Sequence, residues 1–203
     1  TFFATAGAVW NAGLRPAFCD IDPLTFNMTA ETVEAALTPR TRALVVVHLF
    51  GQMADMAPIL ALAARKGLRV IEDAAQSIDA SQEIAGEPRA AGSLGDVGAL
   101  SFFPTKNLGG FGDGGMMTSG DDVLADRLRK LRVHGGRQMY HHEMVGTNSR
   151  LDALQAAVLR AKLPRLAGWT EARRKRAHRY DEALAGVAGI RTPAVLPGNH
   201  HVY

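Results

Sequence analysis

Ser101-Phe102-Phe103-Pro104-Thr105-Lys106-Asn107-Leu108-Gly109-Gly110 decides how this chain is read, together with Ile71-Glu72-Asp73-Ala74-Ala75-Gln76 upstream of it. A lysine in a loop is ordinarily just solvated. Lys106, however, is flanked by apolar Phe103 and Pro104 and by Gly109, Gly110 and Gly112, whose missing side chains let a ligand come close to the backbone. Asp73 closes an apolar run that reads as a strand, so it falls at a strand end. A strand-end acid followed by a lysine in a tight, glycine-rich turn is what pyridoxal 5'-phosphate needs. The lysine can bond the aldehyde, and a buried carboxylate can keep the ring nitrogen protonated so that the ring accepts electrons. The plainer role for Asp73 is a helix cap, since Ala74-Ala75-Gln76 can open a helical turn.

Outward from these runs, short apolar stretches alternate with helical ones. Residues 16–20, 43–48, 69–72, 97–102 and 115–118 read as strands. Thr29 suits an N-cap for a helix over 30–37, and Asp55 one for a helix that runs to Lys66 and stops at Gly67. Beyond Asp121 the apolar spacing turns helical, over 122–133, 151–163 and 166–184. Strand-helix-strand order implies an α/β fold with a mostly parallel central sheet flanked by helices. Ligands of such sheets collect beyond the carboxyl ends of the strands, where Asp73 lies. The connection 135–149 is too long for a plain turn and points to a binding or interface role.

The two runs, with His48-Leu49-Phe50-Gly51-Gln52 and Gly146-Thr147-Asn148-Ser149-Arg150-Leu151-Asp152-Ala153-Leu154-Gln155-Ala156-Ala157, resemble the DegT/DnrJ/EryC1/StrS family of sugar aminotransferases, in order and with its spacings. The resemblance implies a fold type I PLP-dependent transferase, aspartate aminotransferase-like, that aminates a nucleotide-linked keto sugar with glutamate as donor. The wording around His141, His142 and residues 148–152 looks most like relatives acting at the 3-keto position. It further implies a homodimer with shared active sites. Lys106 would be the catalytic lysine, freed by the donor amine to move the proton from substrate carbon to cofactor carbon. Asp73 would meet the ring nitrogen, Gln76 the ring hydroxyl and Ser101 the phosphate. Phe2 matches the aromatic position stacked on the ring, Asn148 a residue that reaches the partner subunit's phosphate, and Arg150 a place where the substrate's anionic portion is met. Each has a plainer alternative: a hydrogen-bonded strand-end serine, a core phenylalanine, or a polar group steadying a loop. By the same resemblance the chain is a fragment, with 1–190 the large cofactor-binding domain short of its N-terminal segment, and 191–203 a linker into a small C-terminal domain.

Composition sets bounds on the rest. A chain of 203 residues with 47% hydrophobic content can bury a sizeable core. The net charge of +3 is concentrated over 160–179 in a helical pattern, which reads as a solvated helix face rather than an anion-binding one, with no nucleic-acid motif beside it. One cysteine, Cys19, rules out an internal disulfide and fits a reducing, cytoplasmic compartment, and no apolar run reaches membrane-spanning length. Gly110-Phe111-Gly112-Asp113-Gly114-Gly115 fits a dinucleotide fingerprint by letter only, because Met116-Met117-Thr118 continues as a strand instead of opening a helix. His141-His142 lack the spaced Cys/His partners of a metal site, and no metal is expected. Two rival functions stand beside the aminotransferase. A sugar dehydratase of the same family carries histidine in place of the lysine, and a non-catalytic regulatory or scaffold relative has no physical need for Lys106, Asp73, Gln76 and Ser101 together.

Overall fold

The computed structural model describes residues 2–203, in the order α1 (Phe3–Asn11), α2 (Ala30–Ala36), β1 (Ala43–Val47), α3 (Met56–Lys66), β2 (Arg69–Asp73), β3 (Ser81–Ile84), β4 (Glu87–Ala90), β5 (Val97–Ser101), β6 (Gly115–Thr118), α4 (Asp122–Leu131), α5 (Ala153–Lys162), a 3-10 turn (Leu163–Arg165), α6 (Leu166–Leu184) and β7 (Asn199–His200). The main sheet has the order β1-β2-β5-β6, its first three strands parallel and β6 antiparallel on β5. The mostly parallel sheet flanked by helices is therefore present, as the alternating pattern implies. Among the described residues no helix is long and apolar enough to cross a membrane.

Local chemistry explains the elements. β1 is Ala-Leu-Val-Val-Val, and its alternate residues Leu44 and Val46 are buried. Over them lies α3, whose Met56, Ile59, Leu62 and Ala63 recur at helical spacing and form one core with Val33, Val70 and Val202. Thr29 caps α2 with a full capping box: its hydroxyl accepts the Thr32 N–H, and the Thr32 hydroxyl accepts the Thr29 N–H. Asp121 caps α4 through the N–H groups of Val123 and Leu124. Asp55 holds the N-cap position of α3 without a side-chain bond, and Gly67 ends that helix at φ 64°.

Several expectations need correcting. Residues 16–20 form no strand. Pro16 has no N–H to give a ladder and Phe18 is exposed, so only Cys19 leans on the core. The helix at α1 and the hairpin β3–β4 are absent from the sequence reading. The hairpin turns on Ala85 and Gly86, both at positive φ (54° and 81°), as a two-residue type I′ turn requires. Ala-Gly is a weak signal for that turn. Pro88 also argues against a strand, and is tolerated only because β4 is an exposed edge. The 193–199 stretch lies against the core: Gln52 donates to the Ala194 carbonyl and accepts the Leu196 N–H, while β7 pairs with β3.

Candidate active site

Asp73 and Glu72 are neighbours on β2, so their side chains leave opposite faces of the sheet. Glu72 goes inward and is fully buried beside His48, with 2.9 Å from its Oε2 to His48 Nε2. The same oxygen accepts the Gly92 N–H, and Oε1 accepts those of Leu94 and Gly95, both at 2.6 Å. His48 Nδ1 accepts the Ala54 N–H, which leaves the ring proton on Nε2 to be donated to Glu72. Burial opposes ionisation of Glu72. The His48 bond and the Gly95 and Gly92 N–H groups outweigh it and hold the carboxyl below its usual range.

Asp73 emerges on the other face. It pairs in register with Ala99 of β5, so Ser101, two residues on, points from the same face at the same carboxyl end of the sheet. Asp73 Oδ1 accepts the Ala75 N–H at 3.2 Å, the cap-like bond foreseen for it. Its Oδ2 accepts the Thr5 hydroxyl at 2.6 Å. The Ser101 hydroxyl accepts the Phe103 N–H at 3.3 Å, as an ordinary strand-end serine would.

The Lys106 turn is braced from behind. Its N–H donates to Phe103 O, and Gly110 N–H donates to Phe102 O at 2.7 Å. Phe102 and Leu108, on either side of it, pack with Leu159 of α5 and Leu166 of α6. Gln155 of α5 accepts the Phe111 N–H at 2.7 Å, and Lys162 donates to the Gly109 carbonyl. A Cβ on Gly109 would run into the Pro104 carbonyl, so the turn closes only with glycine there. The motif containing Gln155 is visible in sequence; its role as a brace is not, because the contact spans two distant segments.

Lys106 and Gln76 share a cavity of about 840 Å³ with Phe50, Arg173, Tyr180 and Tyr203. Asp73 and Ser101 do not line it. Phe2 immediately precedes α1, is 71% exposed, and is joined to Thr5 by the Thr5 N–H to Phe2 O bond. The basic stretch of α6 is divided. Arg173 and Arg176 face the cavity, Arg174 donates to His200 Nδ1, and Lys175 pairs with Glu171 at the surface.

His48-Leu49-Phe50-Gly51-Gln52 turns out to be scaffold as well as wall. Asn27 bonds Leu49 N–H and the Leu49 and Gln52 carbonyls, and Gly51 (φ 106°) lets the Gln76 backbone and Val202 approach where a Cβ would stand 2.7 Å from Val202. Asn148 and Arg150 are exposed and do not line the cavity. Arg150 Nε donates to Asn148 Oδ1 at 2.9 Å, and Asn148 bridges to Val133. The 135–149 loop between them is ordered by its own backbone: His134 N–H to Thr147 O, Thr147 N–H to Leu131 O and Ser149 N–H to Arg132 O. Lys130 is bonded to Glu143 at 2.6 Å. At the tip Met139 and Tyr140 are exposed.

A model for the DegT/DnrJ/EryC1/StrS aminotransferase family matches residues 1–203. The chain belongs to that family. Among curated DegT/DnrJ/EryC1/StrS relatives, the pleiotropic regulatory protein of Geobacillus stearothermophilus is 51% identical over 205 residues. The UDP-N-acetyl-3-dehydro-alpha-D-glucosamine 3-aminotransferase of Acidithiobacillus ferrooxidans is 50% identical over 203. Both alignments cover 100% of this chain and 54% of the relative, so the chain spans about half the length of the curated relatives it matches. The crystal structure of Streptomyces venezuelae DesV in complex with a ketimine intermediate superposes with a TM-score of 0.93 at 46% identity, over 100% of this chain and 54% of that one. The DegT/DnrJ/EryC1/StrS assignment thus rests on the whole chain, and the fold type I architecture comes with it.

Proposed function

We propose that the full-length protein is a pyridoxal 5'-phosphate-dependent aminotransferase that moves an amino group from glutamate to a keto group, at the 3 position, of a nucleotide-linked sugar. The observation that carries this reading is a carboxylate held by both oxygens at the end of β2, with the neighbouring strand β5 leading into the braced turn of half-buried Lys106. The residues fit the cofactor: beside Lys106 the amide nitrogen Nδ2 of Asn107 is buried without a partner, and the Ser101 hydroxyl shares a sheet face with Asp73. When bound, the cofactor supplies a protonated ring that draws off the negative charge developing on the substrate carbon. Asp73 would hold the ring nitrogen charged, Gln76 would meet the ring hydroxyl, Ser101 would hold the phosphate and Phe2 would cover the ring face. Lys106 Nζ carries the proton between carbons, and Arg150 meets the anionic part of the substrate. A regulatory role is the second reading, supported by the name of the Geobacillus relative. It predicts that loss of Asp73 and Lys106 chemistry leaves function intact.

Asp73→Asn tests the reading. The amide fills the same space and cannot stabilise a pyridinium charge, so turnover should fall by about a hundredfold or more while circular dichroism stays unchanged. A loss of activity that only tracks loss of folded protein makes Asp73 a cap and removes it from the chemistry.

The proposed homodimer with shared sites gives Asn148 the partner's phosphate to meet. Asn148 is exposed at the end of a loop held by backbone hydrogen bonds, whose tip presents Met139 and Tyr140 to solvent. Mixing inactive Lys106→Ala subunits with inactive Asn148→Asp subunits, whose carboxylate repels phosphate, should restore up to about a quarter of wild-type activity. Half the dimers of a random mixture are mixed, and each has one intact site. No recovery despite demonstrated subunit exchange places Asn148 outside the partner's site.

A further inference from the structure

We propose that Thr5 is a positioning residue for the ring-nitrogen carboxylate, an inference that rests on the role assigned to Asp73 above. The Thr5 hydroxyl donates to Asp73 Oδ2 at 2.6 Å across 68 residues of sequence. A threonine inside a helix usually turns its hydroxyl back to a carbonyl three or four residues earlier. Thr5 stands third in α1, and while its N–H donates to the Phe2 carbonyl, its hydroxyl is directed to the acid. α1 buries none of its side chains, so core packing does not dictate where its first turn sits.

The carboxylate has two anchors on separate segments, the Ala75 N–H on Oδ1 and the Thr5 hydroxyl on Oδ2. One anchor leaves the group free to swing about its Cβ–Cγ bond, whereas two fix its plane. Each oxygen keeps a further lone pair, so an anchored carboxylate can still face a ring N–H. The same turn of helix fixes Phe2 through the Thr5 N–H to Phe2 O bond of 3.2 Å. The Thr5 side chain thus orients the acid, and its backbone ties the residue that precedes α1 to the same turn. A small misplacement of such a group carries a large cost in rate.

The test compares Thr5→Val, which keeps the shape and removes the hydroxyl, with Thr5→Ser, which keeps the hydroxyl, both in the full-length protein. Three readouts are taken: dissociation constants of the apo-protein for pyridoxal 5'-phosphate and for pyridoxamine 5'-phosphate, the pH titration of the bound cofactor's absorbance, and kcat against KM. Thr5→Val should weaken cofactor binding and lower kcat by about tenfold, the effect of one hydrogen bond to a charged group. KM for glutamate should stay within about twofold. Its absorbance titration should move in the same direction as that of Asp73→Asn, and Thr5→Ser should stay near wild type on every readout. Equal losses in Val and Ser variants would make Thr5 a packing residue and overturn the inference. So would a Thr5→Val protein with wild-type binding and titration. If Asp73→Asn itself leaves turnover and titration unchanged, the aminotransferase reading falls and this inference with it. A defective Asp73→Asn beside a silent Thr5→Val sinks this inference alone.

Discussion

Turnover should fall by several orders of magnitude when Lys106 is replaced by alanine in the full-length protein, with the cofactor still bound but no longer held covalently. The size of the effect follows from two duties on one amine. In the proposed function Lys106 Nζ would hold the cofactor's aldehyde and, when free, would carry the proton, so Lys106→Ala would remove nucleophile and proton carrier together. The residues on either side of Lys106 in the turn, Thr105 and Asn107, give no substitute, since neither is a base of useful strength. Wild-type protein should be yellow, and borohydride should fix the cofactor onto the peptide containing Lys106. Near-normal turnover in Lys106→Ala would end the aminotransferase mechanism and favour the regulatory reading.

Glu72→Gln should be the costliest conservative change to the scaffold, by about 3 kcal/mol in chemical denaturation. Glu72 is fully buried and accepts four donors, His48 Nε2–H and the N–H groups of Gly92, Leu94 and Gly95. An amide would turn its own NH2 toward at least one of those donors and leave it unsatisfied. The pH dependence has a definite sign. Because the folded protein holds the Glu72 carboxyl below its ordinary value, its stabilisation is complete above the unfolded value of about 4.3 and is lost as pH falls through the lower folded value. Wild type should therefore lose stability more steeply than Glu72→Gln in that acid window. Equal midpoints for the two proteins at pH 7 would show that the buried pair contributes nothing net.

What could be read in the sequence was what repeats locally. Val-rich β1 and the three-and-four spacing of α3 and α6 announce themselves, because strand and helix periods are written in neighbouring residues. Lys106 and Asp73 stand out by their surroundings of glycine and apolar residues. The contacts that hold them in place were not legible. Gln155 supports the Lys106 turn from 44 residues beyond Phe111, and Gln52 reaches Ala194 across 142. Thr5 gave no signal either, since a threonine in an apolar opening stretch looks like any other until the helix brings it to Asp73. The β3–β4 hairpin was hidden by Pro88 and a turn lacking asparagine. Residues 16–20 show the reverse failure, an apolar alternation without a neighbouring strand to pair with.

The two adjacent acids of β2 have one more consequence. Structural support and chemistry are assigned to them solely by parity along a pleated chain, even positions of this strand serving the interior and odd ones the ligand side. An insertion or deletion within 69–73 should therefore cost more than a substitution that keeps the alternation. Sliding the strand by one place would either carry Asp73 into the buried His48 niche with Ala74 in its stead, or bring Glu72 to the ligand side and leave Ile71 beside His48. The spacing of this strand thus matters to its two jobs as much as the letters it spells.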